Sequence, residues 1–138
     1  MIYLRDAIKE VYDNSSTLQA SAKGGIYFFD APARGTTPYI IVRSVGSTYE
    51  YNSSERIETI MTQFTIVSKD EDSLYYALRD MHTVYDDVIL NYGDLYFNHL
   101  LCRRSNEYGL RENDNDLFYD TVYKIMRSIE LKPNPSDY

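Results

Sequence analysis

Few side chains in this sequence are equipped for chemistry. His82 and His99 are the only histidines and Cys102 is the only cysteine. "HLLC" sets His99 and Cys102 three residues apart. On a strand, an odd separation sends two side chains to opposite faces, so the pair makes a poor metal site. "ENDND", residues 112–116, invites comparison with a calcium loop. An EF-hand loop needs glycine at its sixth position and glutamate at its twelfth. Counting from Asp114, those positions hold Tyr119 and Ile125. "KGG" at 23–25 is too short to cradle a phosphate and reads as a helix-ending turn. Asp86 and Asp87 read as helix surface. No base is set beside a serine or cysteine in a way sequence can show. The expectation is a chain with no catalytic residues, no metal and no cofactor.

The residues that do stand out shape the backbone. "APARGTTPYIIV", residues 31–42, places Pro32, Gly35 and Pro38, with Arg34 as its one charge, directly before an apolar strand beginning at Tyr39. Each proline fixes φ near -65° and stiffens the loop. Pro38 also biases Thr37 towards extended backbone.

The totals narrow the classes. A chain of 138 residues fits one domain, large enough to bury roughly 68% of its unfolded surface without a staple. One cysteine excludes an intramolecular disulfide and fits a reducing compartment. Arg5, Asp6, Lys9 and Glu10 leave no apolar stretch for a secretory signal at the N-terminus, and no run approaches the ~18 apolar residues of a membrane span. The net charge of -7 argues against tight, specific nucleic-acid binding, which draws on phosphate neutralisation. The aromatics are 15 Tyr, 5 Phe and no Trp, a set that suits half-buried strands and subunit interfaces.

Periodicity gives the elements. Leu4, Ala7, Ile8, Val11 and Tyr12 predict a helix over 3–13, and Gly24 and Gly25 close the looser stretch after it. Strands are predicted at 26–30, 39–45 and 56–68. In the last, Ile60, Thr62, Phe64 and Ile66 share one face and Ile57, Thr59, Met61, Gln63 and Thr65 the other. Ser68 or Asp70 caps a second helix carrying Leu74, Ala77, Leu78, Met81, Val84 or Tyr85, and Val88 in one stripe, with Leu78 and Met81 expected in the core. Strands at 96–105 and 117–131 complete the order α-β-β-β-α-β-β. That order points to an α+β domain with a mostly antiparallel sheet and helices on one face, spanning 1–131, with 132–138 as a tail. Residues such as Phe28, Ile41, Phe64 and Ile66 are expected to meet the helices. "GSTYEYNSS" at 46–54 and "NEYGLRENDND" at 106–116 read as long polar connections.

Element order and loop chemistry together resemble the tail-completion, or tail-terminator, proteins of long-tailed bacteriophages and prophages. The likeness lies in "GGIYFFDAP" leading through "GTTPYIIVRSVGS", in particular Ile26, Tyr27, Ala31, Pro32, Gly35, Pro38 and Tyr39. It implies a structural virion protein that forms a ring, usually of six copies, on the head-proximal end of the tail. Its implied partners are copies of itself, the tail tube protein and a head-side neck protein, with DNA passing through but not specifically bound, and no membrane. Arg34, Tyr49, Tyr51, Asp114 and Asp116, all placed on apparent loops, are the expected contact residues; Pro32, Gly35, Pro38 and Tyr39 set the loop's shape. Two other classes fit the residues: another neck or minor tail subunit, and a non-viral α+β binding module or small enzyme.

Overall fold

The computed structural model describes residues 4–31, 35–51, 55–90 and 100–130. Its elements are α1 (Arg5–Asp13), α2 (Ser16–Ser21), β1 (Ile26–Phe28), β2 (Tyr39–Tyr51), β3 (Glu55–Ser68), α3 (Glu71–Tyr85), β4 (Val88–Leu90), β5 (Leu100–Asn113) and β6 (Asp116–Glu130). This is the expected α+β order with two short additions. α2 forms because Ser15 caps it, its Oγ accepting from Leu18 N at 3.2 Å. β4 takes Val88 out of the helical stripe. α3 stops at Tyr85, and a turn through Asp86 and Asp87, the latter at φ 57°, starts the strand. Asp70 is the residue that caps α3, accepting from Ser73 N at 2.9 Å.

The six strands run β1-β2-β3-β6-β5-β4. Only β1 and β2 are parallel; every other neighbour pair is antiparallel. All three helices cover one face of this sheet. Leu4, Ala7, Ile8, Leu18, Leu74, Ala77, Met81 and Tyr85 from the helical side meet Ile40, Val42, Ile60, Phe64, Ile66, Leu100, Cys102, Tyr123 and Ile125 from the strands. Phe64 is central, with ring centroids 4.9 Å from Tyr85 and 5.0 Å from Tyr123. Tyr85 also donates from its hydroxyl to Ile8 O at 2.7 Å, so burying this polar tip ties α3 to α1 at no hydrogen-bond loss. Met81 is fully buried as expected, whereas Leu78 is half-buried at the rim.

Three expectations change. Ile41 does not face the helices: it lies level with Thr65, whereas Ile40 and Val42 lie level with Ile66 and Phe64. "YIIV" is apolar on both sides, and such a run does not reveal which side is covered. The two polar stretches read as loops are mostly strand. β2 continues to Tyr51, and β5 continues to Asn113 with only Asp114 and Asn115 between it and β6. Both turn residues have positive φ, 51° and 68°, the backbone a two-residue hairpin of matched twist requires and one that Asp and Asn tolerate. Gly24 is a close-approach glycine: its N–H donates to Pro38 O at 2.8 Å, and a Cβ would stand 1.6 Å from Thr36 O. With Ile40 N donating to Gly25 O, that contact pins the residues just before β2 against the start of β1.

Candidate assembly surface

The expected contact residues fall at opposite ends of the sheet. Tyr49 and Tyr51 stand near one end of β2, 50% and 67% exposed. They sit on regular strand, level with Glu58 and Arg56 of β3, and the Arg56 guanidinium lies 5.6 Å from the Tyr49 ring centre. Asp114 and Asp116 are at the other end. Asp114 is an exposed turn residue and Asp116 begins β6, ion-paired with Lys69. Tyr39, the first residue of β2, is at that same end, edge-on to Tyr27 at 5.9 Å. Burial and the Asp116 carboxylate raise its pKa, against the opposing pull of Lys69. The 13 residues of β2 separate the two groups by roughly 40 Å. Pro38 is buried and its bond from Thr37 is cis; Gly35 is exposed. Pro32, Arg34 and His99 lie outside the described residues, as does the 132–138 tail.

The helix-free face carries its own polar centre. Asp120 is nearly buried there. It accepts from Thr65 Oγ1 at 2.6 Å, Arg111 Nε at 2.9 Å and Gln63 Nε2 at 3.4 Å. Burial raises the Asp120 pKa, but the hydrogen bonds from Arg111 and Thr65 outweigh it and hold the carboxyl below its ordinary value. The same guanidinium lies over Phe118, 4.5 Å from the ring centre. Among the described strands, this face bears Arg43, Arg103, Arg111 and Lys124 against Glu50, Glu55, Asp116 and Asp120. The helices hold Asp6, Glu10, Asp13, Glu71, Asp72 and Asp80 against Arg5, Lys9 and Arg79.

Sequence reading passed over a second cluster, between α3 and β5. His82 Nδ1 accepts from Arg104 Nη1 at 2.8 Å, while its Nε2 stands 3.1 Å from Glu107 Oε1. This pairing fits the imidazole with its proton on Nε2. Burial, then the Arg104 charge, push its pKa below 6.5 against Glu107 and Asp86. Arg104 also reaches Asp86 at 3.0 Å. The cluster lines an open cleft of about 470 Å³ with Tyr75, Leu78, Arg79 and Tyr119 among its walls. His82 Nε2 also stands 3.4 Å from the hydroxyl of the buried Thr121, and the described residues contain no group of three or more His, Cys, Asp or Glu able to hold a metal. Cys102 is buried and its thiol pKa is raised, first by desolvation. No spacing signal in the sequence links His82 to residues 22 and 25 positions away.

The arrangement defines a class first: an α+β domain whose long strand edges and one sheet face are open among the described residues. The same fold occurs in a chain from the virion of a native gene transfer agent particle. The TM-score is 0.75 at 11% identity, over 93% of this chain and 95% of that one. A second solved chain aligns over 95% and 97% at 11% identity, with a TM-score of 0.47 that supports no conclusion. No family model and no curated protein matches the sequence.

Proposed function

We propose that this chain is a structural subunit of a phage-like virion, and that it caps the tail tube as an oligomeric ring, ending tube growth and offering the surface to which the head side joins. The observation that carries the reading is the likeness to a gene transfer agent virion chain, which spans nearly all of both chains. The loop and strand residues that resemble the tail-terminator family support the finer assignment, as do exposed side chains at both ends of the sheet, Tyr49 and Tyr51 at one and Asp114 at the other. A tail tube is a stack of heterologous contacts that does not stop by itself. A cap needs one face that fits the tube and another that the next tube subunit cannot use. The role needs shape rather than catalysis, and the reading assigns the chain no enzymatic step.

Deleting the gene from the phage or prophage that encodes it tests this. The expected result is filled heads with detached tails of abnormal, often excessive, length by negative-stain microscopy, and purified protein should block further growth of tubes of correct size. Normal-length tails joined to heads would overturn the reading. Normal-length tails left unjoined would reassign the chain to the neck.

A further inference from the structure

Two stretches of sheet edge have no strand beside them among the described residues. β1 covers β2 only at Ile40–Val42, which leaves Arg43–Tyr51 open on its outer side. β4 covers β5 only at Leu100–Cys102, which leaves Arg103–Asn113 open on the other side of the sheet. The two open stretches are diagonal to each other, and β2 and β5 run in opposite directions. Long open edges are templates for pairing with another chain.

The inter-strand register shows what fits them. Arg43 lies level with Gln63 of β3, and Tyr51 with Arg56. Through β6, Arg104 lies level with Thr62, and Asn113 lies one step beyond Ser68. If two copies stood side by side without offset, β1 of one would collide with Glu107–Leu110 of the other, and β4 would collide with Ser47 and Thr48 of β2. An offset of six levels removes both collisions. It sets Tyr51 of one copy beside Arg104 of the next, and Arg43 beside Asn113. The eight paired positions of Arg43–Tyr51 are then matched end to end with the eight of Arg104–Asn113. Six is an even number, so the helical face of one copy continues into the helical face of the next; an odd offset would turn a copy over. Six levels are about 20 Å along the strands and four strands are about 19 Å across. The strands would therefore tilt about 45° from a common axis, at the upper end of the range of closed barrels. Exposed side chains meet at the seam: Tyr51 with Arg104, Tyr49 with Glu107, and Ser47 with Leu110.

We propose that copies of this chain join by antiparallel pairing of the outer edge of β2, Arg43–Tyr51, with the outer edge of β5, Arg104–Asn113, of the next copy. β1 and β4 act as stops that set the offset. The contact is heterologous, so it propagates in one direction until a ring closes. The bulges in β5 at Arg104/Asn106 and Glu107/Gly109, and in β2 at Ser44/Gly46, restrict the edges to a partner of matching shape. The proposal rests on the ring reading above and names the surface that builds the ring.

Cysteine cross-linking tests the register. Residues directly opposed on antiparallel strands have Cβ atoms within disulfide reach. Ser47→Cys with Leu110→Cys in one chain, oxidised after assembly alone or on purified tail tubes, should give a ladder of covalent multimers on a non-reducing gel. Either single variant should give none. Tyr49→Cys with Glu107→Cys is a second in-register pair, should the first variant not fold. Ser47→Cys with Asn113→Cys is out of register and should stay at one chain. Multimers seen by mass photometry or microscopy but absent from the gel for both in-register pairs would overturn edge pairing and leave the ring reading standing. A chain that stays single at every concentration and never binds tube ends would overturn both.

Discussion

The two faces of the sheet solve different problems. On the covered face, α1, α2 and α3 bury a continuous apolar set around Phe64, and even its tyrosine hydroxyl at Tyr85 is satisfied inside the chain. On the open face, Asp120 collects three donors, and four cations share the strands with at least four carboxylates. The first face closes the core. The second, with the two strand edges that border it, has polar groups and aromatic side chains still available. Folding is decided on one face, and what the folded chain meets is decided at the other and at the edges.

The comparison breaks most sharply at Phe64. It is fully buried between Tyr85 and Tyr123. Phe64→Ala removes a ring from the centre of the covered face and leaves a cavity, at a cost of about 3–5 kcal/mol. A thermal melt should fall by roughly 10 °C or more. A melt within a degree or two of the parent would mean that the helices do not close over this face.

The covered face was also the legible one. The burial of β3 alternates over Glu58–Phe64 because one side is covered and the other is not, and Asp70 before the Leu74–Met81 stripe marks the start of α3. Legibility ends where burial ends. Residues 46–51 and 106–113 form strands whose side chains are largely exposed, so no apolar period distinguishes them from loops. They are strands because β3 and β6 supply ladder partners, which composition does not encode. The bulges and Gly109, at φ 87°, add turn-like residues to β5 and obscure it further. β4 is hidden for the opposite reason: Val88 continues a helical stripe that the turn at Asp87 interrupts. The candidate contact residues Tyr49, Tyr51, Asp114 and Asp116 were chosen as members of long polar connections. Their division between two sheet ends follows from register and is not visible along the chain.

A smaller effect is expected on the open face. Asp120→Ala leaves Arg111, Thr65 and Gln63 without their shared acceptor on a nearly buried patch, and should cost about 1–3 kcal/mol. The pH dependence separates charge from packing. The folded-state pKa of Asp120 lies below its ordinary value of 3.8. Its stabilising contribution is therefore complete above that value, and is lost as pH falls from there through the lower, folded-state pKa. Asp120→Asn should lose stability at neutral pH and show a shallower decline on acidification below about pH 4. Identical acid limbs in urea titrations of parent and variant would show that the network contributes through shape alone.

The smallest effect on folding belongs to the residues with the largest expected role in assembly. Tyr49 and Tyr51 lie half to two-thirds exposed on an open edge, and the Arg56 guanidinium lies over the Tyr49 ring. Replacing both with Ser removes no buried contact, so the circular-dichroism melt should stay within about 0.5 kcal/mol of the parent. The same change strips the two largest side chains from the β2 side of the seam. Opposite Arg104 and Glu107 they would have been taken out of water on pairing, and tyrosine supplies contact area there at low entropic cost. Light scattering should therefore show weaker assembly, or loss of binding to tube ends, at unchanged fold stability. A variant that assembles like the parent would separate the tyrosines from the seam and move the contact to the backbone of the edge. A variant that melts early would instead tie these side chains to the covered face, and the division between folding surface and meeting surface would fail at the end of β2.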